Sequence, residues 1–299
     1  MDTTDTSLTT GQEQAPPVTT LRLGPAHLTV TDLDRSVDFY ERSIGLQVRT
    51  RDAVTATLWA GGSDDLLVLA AEPAARRAGR HAGLYHVALL HPSRLELARA
   101  AARLAETRTP IIGASDHGIS EAIYLPDPDG NEIELAADRP RDVWPDLRNP
   151  GWDGGPQPLD LNALLDQVAA EPVRAHADPA LTVGHVHLHV GDVDRAVAFY
   201  GDLLGFEVMT RLPTAAFMAA DGYHHHVAVN VWRGVGVPPA PPATVGLRHW
   251  TIVFATPEAL AEALARIERA GIPTEPHAGG VLVRDPWDIP VVLTASIDT

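Results

Sequence analysis

GHVHLHVGDVDRAVAFYGDLLGFEV, residues 184–208, decides the fold, because it opens like a strand, continues like a helix, and recurs 160 residues earlier. His185, His187 and His189 alternate with Val186, Leu188 and Val190. In an extended chain successive side chains point to opposite faces, so the histidines share one face and the aliphatic residues the other. One face packs and the other is free for chemistry. Asp192 then supplies a carboxylate suited to the open amides of a first helical turn, and Gly205 marks where that helix ends.

HLTVTDLDRSVDFYERSIGLQV from His27 aligns without gaps on HLHVGDVDRAVAFYGDLLGFEV from His187. Shared positions include Val30/Val190, Asp32/Asp192, Arg35/Arg195, Phe39/Phe199, Tyr40/Tyr200 and Gly45/Gly205, which marks an internal repeat. Alternating segments follow each helix: LQVRTR, TATLWA and DLLVLAA in one copy, FEVMTRL, AAFMAA and HHVAVNVW in the other. A weaker pair comes next. GLYHVALL from Gly83 matches GLRHWTIV from Gly246; each precedes an Ala/Leu/Arg/Glu-rich helix (93–106 and 257–270) and ends in a strand opened by Asp-Pro, at 127 and 285.

The expected fold is α+β: four βαβββ units forming two barrel-like domains. Residues 1–20 read as a flexible tail, 21–137 as a first domain holding units one and two, and 183–299 as a second holding units three and four. Between them, 138–182 is rich in Pro, Trp and Asp with one helical patch, LDLNALLDQVAA, and reads as a linker that packs.

Composition narrows the function. A net charge of −16 argues against binding phosphate backbones and favours small-molecule partners. The absence of cysteine excludes disulfides, thiolate metal sites and cysteine nucleophiles, and suits a cytoplasmic location. The apolar runs are far shorter than the roughly 20 residues a membrane helix needs.

Equivalent positions of the four units predict a metal site. Two histidines and a carboxylate suit non-heme Fe(II) oxygen chemistry. The opening strands carry Pro25, His86, His185 and His249 in units one to four, and the last strands of units two and four carry Glu134 and Val292. Pairing one with two and three with four leaves both sets incomplete. Pairing two with three assembles His86, Glu134 and His185 into one whole set, and leaves Pro25, His249 and Val292 as a dead one. The expected metal site therefore lies between units two and three. His187 and His189 are assigned to pocket lining or hydrogen-bonded core.

The repeated run, the close DPDGNEIEL and the four-unit plan resemble the vicinal oxygen chelate (glyoxalase-like) superfamily, and within it the two-domain extradiol ring-cleaving dioxygenases of the catechol 2,3-dioxygenase type. The resemblance covers about residues 21–296. It implies Fe(II), with Mn(II) as the alternative, and O2 insertion beside the diol of a catechol to give a muconic semialdehyde-type product. It also implies roles for three residues. Tyr124 in AIYLPDPDGNEIE lies at the spacing from Glu134 used to hydrogen-bond the substrate's ionised oxygen. His117 in SDHGISEAIY is similar to the histidine that precedes that tyrosine. His225 in GYHHHVAVNVW is similar to the acid/base histidine, with His224 and His226 as neighbours competing for the role; strand alternation turns His225 away from both. Arg139 and Arg141 read first as solvated linker arginines, and as the alternative they meet a carboxylate on the ring, as in an amino-acid catechol such as L-DOPA. The partners implied are an aromatic diol, O2 and a second copy of the chain in a homo-oligomer. A glyoxalase-like isomerase or thiol transferase, and a metal-free small-molecule binding protein, are the alternatives on the same fold.

Overall fold

The computed structural model describes residues 20–149 and 155–296. The tail expected over 1–20 lies, apart from Thr20, outside the described residues. Unit one comprises β1 (Leu21–Val30), α1 (Leu33–Phe39), β2 (Gln47–Arg51), β3 (Thr55–Trp59) and β4 (Asp65–Ala71), followed by the short β5 (Arg76–Arg77). Unit two comprises β6 (Gly83–His91), α2 (Arg94–Glu106), β7 (Gly113–Asp116), β8 (Ser120–Pro126) and β9 (Glu132–Asp138). The connecting segment contributes β10 (Gln157–Pro158) and α3 (Leu161–Leu165), the latter inside the expected helical patch. Unit three comprises β11 (Thr182–His189), α4 (Val193–Val197), β12 (Glu207–Leu212), β13 (Ala215–Ala219) and β14 (Val227–Asn230). Unit four comprises β15 (Thr244–Phe254), α5 (Pro257–Arg269), β16 (Thr274–His277), β17 (Gly280–Arg284) and β18 (Pro290–Ala295).

Local chemistry sets these boundaries. Asp32 and Asp192 cap their helices, each Oδ1 accepting at 3.0 Å from the backbone N–H of Arg35 or Arg195. Both helices then widen into π-turns, Tyr40–Ile44 and Ala198–Leu203, before the chain reverses at Gly45 and Gly205 in the left-handed region, φ 84° and 94°. The Asp-Pro pairs fall before the last strands rather than opening them. Asp127 Oδ1 accepts from the N–H groups of Asp129 and Asn131 at 2.8 Å each, and Asp285 does the same for Trp287 and Ile289. The proline is thus spent on a turn, where its missing N–H breaks no ladder.

Two nine-stranded sheets result. One runs β16-β17-β18-β15-β1-β4-β3-β2, with β5 beside β15; the other runs β10-β7-β8-β9-β6-β11-β14-β13-β12. Neither order closes on itself among the described residues. The first sheet joins unit one to unit four and the second joins unit two to unit three, so each half of the chain supplies one unit to each sheet. The joining pairs, β1 with β15 and β6 with β11, are antiparallel, with His27 opposite His249 and His187 opposite His86. Val186 and Leu188 are buried on the packed face of β11, as their alternation requires, and Val190 is buried just beyond its end. No helix among the described residues is long and apolar enough to cross a membrane.

Candidate metal centre

The β6–β11 junction carries the chemistry. β9 runs parallel to β6, with Glu134 opposite Ala88, and β8 brings Tyr124 opposite Glu134. Irregular register between Val183 and His185 shifts the start of β11, the kind of bulge that re-aims a side chain. His86, Glu134 and His185 thereby converge, each 3–4% exposed. His86 Nε2 lies 2.9 Å from Glu134 Oε2, His185 Nε2 lies 3.0 Å from the same oxygen, and the two Nε2 atoms are 3.1 Å apart.

This near-equilateral triangle is a test of fit for a cation. Donors adjacent on an octahedron with bonds of about 2.1 Å stand about 3.0 Å apart, whereas tetrahedral donors stand about 3.4 Å apart. The spacing matches one face of an octahedron, leaving three further positions for other donors, and the two-nitrogen, one-oxygen set is that of the facial triad. Among the described residues this is the one group of three such side chains with ligand atoms mutually within 4.8 Å. Burial alone would raise the Glu134 carboxyl, but His185 and His86 outweigh it and hold the group well below the usual carboxylate range.

The remaining histidines of β11 point elsewhere in function. His187 accepts at Nε2 from the Asn230 side-chain amide at 2.9 Å, and His189 Nδ1 lies 2.7 Å from Asn230 Oδ1. Neither belongs to the triangle. The equivalent set in the first sheet does not assemble: His249 stacks on His27 with ring centroids 3.7 Å apart, and Val292 is buried in its strand.

A cavity of about 350 Å³ opens over the triangle, lined on its polar side by Tyr124, His117, His187, His224 and His225 and on its apolar side by Ile112, Leu212, Phe217 and Trp232. His117 Nε2 and the Tyr124 hydroxyl are 3.0 Å apart. Burial, reinforced by Glu134, pushes the Tyr124 phenol well above its ordinary pKa. The His225 ring lies 4.1 Å from that of His185, and burial, then His185 and His224, hold its pKa well below the usual histidine value.

Strand alternation does not govern His224–His226, because β14 begins only at Val227. His224 and His225 therefore both reach the cavity, with their Nδ1 atoms 2.8 Å apart. His224 is anchored through Nε2 to Asp138 Oδ1 at 2.9 Å. His226 turns away and accepts at Nδ1 from the Ala220 N–H at 3.2 Å. Arg139 donates to Asp116 at 2.6 Å and Glu121 at 3.1 Å, Arg141 donates to the Asp221 carbonyl at 3.2 Å, and neither lines the cavity. The residue that sequence reasoning passed over is Asn230. Its signal was an amide side chain closing the apolar strand VAVN, a place where a polar group must find partners.

A family model described as the Glyoxalase/Bleomycin resistance protein/Dioxygenase superfamily matches residues 22–135 and 182–291. The catechol-2,3-dioxygenase of Bacillus subtilis (strain 168) is 40% identical over 268 residues, 88% of this chain and 93% of the relative. Among solved structures, a protein from Bacillus subtilis superposes with a TM-score of 0.63 at 13% identity, covering 94% of this chain and 86% of its own. Glyoxalase I from Zea mays superposes with a TM-score of 0.58 at 17% identity, covering 92% of each chain. At such identities the two superpositions speak for the fold alone.

Proposed function

This chain belongs to the Glyoxalase/Bleomycin resistance protein/Dioxygenase superfamily, and from that membership we propose that it is an Fe(II)-dependent extradiol catechol dioxygenase. The observation that carries the reading is the buried His86–Glu134–His185 triangle beneath a cavity sized for one aromatic ring. The long alignment with a catechol-2,3-dioxygenase favours ring cleavage over the other chemistries of the fold. Fe(II) bound there would lower the pKa of a coordinated diol hydroxyl and bring the diol and O2 together.

The protein's own groups have separate tasks. Tyr124 and His117, hydrogen-bonded to each other, hold the substrate oxygen on the β8 side of the cavity. His225, on the opposite wall beside His185, accepts a proton from the diol and returns it as the ring opens. His224, tied to Asp138, fixes where His225 stands. Ile112, Leu212, Phe217 and Trp232 give the ring an apolar seat and keep water from it. The product is a muconic semialdehyde.

The test is direct. Protein loaded anaerobically with Fe(II) should, on admission of air and catechol, accumulate the yellow ring-fission product with oxygen uptake in a one-to-one ratio. Iron bound without product would instead point to another metal-dependent activity of the superfamily, and no iron retained would point to a binding protein.

A further inference from the structure

Asn230, His187 and His189 form a hydrogen-bonded group that the reaction above leaves unused. Asn230 closes β14 opposite His189 and is fully buried. The backbone N–H of Trp232 donates to Asn230 Oδ1 at 3.0 Å. A backbone amide only donates, so this bond settles which end of the side-chain amide is oxygen. Nδ2 consequently donates to His187 Nε2 at 2.9 Å, and His189 donates from Nδ1 to Oδ1 at 2.7 Å.

The direction of the Asn230–His187 bond has a consequence at the far side of the ring. A nitrogen that accepts has no proton of its own, so neutral His187 carries its proton on Nδ1. No group among the described residues accepts that proton, and Nδ1 is not among the polar atoms sealed in the interior without a partner. The ring itself lines the cavity. It is wedged among Tyr85, Phe217 and Trp232, at centroid distances of 4.9, 5.7 and 5.4 Å, and stands 5.0 Å from His86 at 87°. Such packing opposes the ring flip that would exchange the two nitrogens.

We infer that His187 is a further substrate-binding residue, presenting a fixed Nδ1–H donor to an anionic oxygen bound in the cavity beside His86, with Asn230 as the residue that sets its tautomer. The identity of that oxygen as a catecholate rests on the dioxygenase reading; the donor itself does not. An anionic oxygen gains from an N–H at this place and is repelled by a lone pair, so the tautomer decides whether the wall attracts or rejects it.

Two measurements test this. In ¹⁵N NMR of the histidine-labelled full chain loaded with Zn(II), the His187 signal, assigned by its loss in His187→Phe, should show protonation at Nδ1; protonation at Nε2 overturns the inference. In anaerobic titration of the Fe(II) protein with 4-nitrocatechol, His187→Phe should weaken binding roughly tenfold or more, the loss of one hydrogen bond to a charged group. His187→Asn, whose amide can place an N–H near the position of Nδ1, should stay within about threefold of the parent, while Asn230→Asp, which accepts where Asn230 donates, should behave like His187→Phe. Equal binding by the parent and His187→Phe, or equal loss in the Phe and Asn variants, overturns it. A parent protein that binds no nitrocatechol counts against the dioxygenase reading, and the NMR result then decides the donor by itself.

Discussion

Tyr200 donates its hydroxyl to Asp285 Oδ2 at 3.0 Å, and Tyr40 repeats the bond to Asp127 Oδ2 at 3.2 Å, all four side chains being buried. Each tyrosine lies in the π-turn that follows the helix of one unit, and each aspartate starts the turn before the last strand of the next. Those units lie in different sheets, so the repeat places one such bond across the sheet junction in each half of the chain. Removing a hydroxyl leaves a buried carboxylate short of a donor, at a cost of about 1–3 kcal/mol. Tyr200→Phe and Tyr40→Phe should each lower the unfolding free energy by that amount in urea titrations, with little change in iron content.

The same pair gives a pH signature. Burial pushes the Asp285 carboxyl up to about 6, against the pull of its backbone donors and Tyr200, whereas an unfolded aspartate titrates near 3.9. The folded chain therefore holds this proton more tightly than the unfolded chain does. The contribution to stability is full below about pH 4, falls as the pH rises, and is lost above about pH 6. Asp285→Asn lacks the titration, so its unfolding free energy relative to the parent should rise by roughly 2–3 kcal/mol between pH 4 and pH 7. A constant difference across that window would contradict the assignment.

Iron retention separates the two equivalent sets of positions. Glu134→Ala removes the one anionic donor of the buried triangle and should reduce bound iron, measured by atomic emission after desalting, to about a tenth or less of the parent. His249→Ala removes only a ring stacked on His27 and should leave iron unchanged. The reverse result would move the metal to the other sheet.

Much of this was legible because the repeat makes positions comparable. Pro25 and Val292, unable to ligate, marked one set as broken, and the complementary pairing of units two and three brings His86, Glu134 and His185 within a 4.8 Å span. What escaped was whatever depends on the exact path of a loop or on a partner from another strand. His224–His226 precede β14, so their facing is set by the turn at Asp221–Tyr223 rather than by alternation. Asn230 looks like an ordinary strand end until β11 lies beside it and supplies two histidines.

The two walls of the cavity should fail differently in kinetics. In the proposed reaction His225→Asn removes the proton acceptor, and it should lower kcat about 10²- to 10⁴-fold with iron retained. Tyr124→Phe removes one hydrogen bond and should lower kcat/KM by roughly ten- to a hundredfold. Oxygen uptake under saturating catechol distinguishes the two.

Substrate charge provides a last prediction. Among the described residues no arginine or lysine lines the cavity; the charged side chains there are Glu132 and Glu134 besides the histidines. Arg139 and Arg141, the groups that could have met a carboxylate, are committed to Asp116, Glu121 and the Asp221 carbonyl. Toward the mouth, Ile112 and Trp232 are 60% and 51% exposed and continue the apolar wall of Leu212 and Phe217 outward. The carboxylate of an amino-acid substituent would lose its hydration there without gaining a cationic partner, while a methyl group would bury apolar surface. The kcat/KM for 4-methylcatechol should exceed that for L-DOPA by about 10²-fold or more, the penalty of one uncompensated charged group. Equal values would mean that the amino-acid side chain finds a charge partner beyond this cavity.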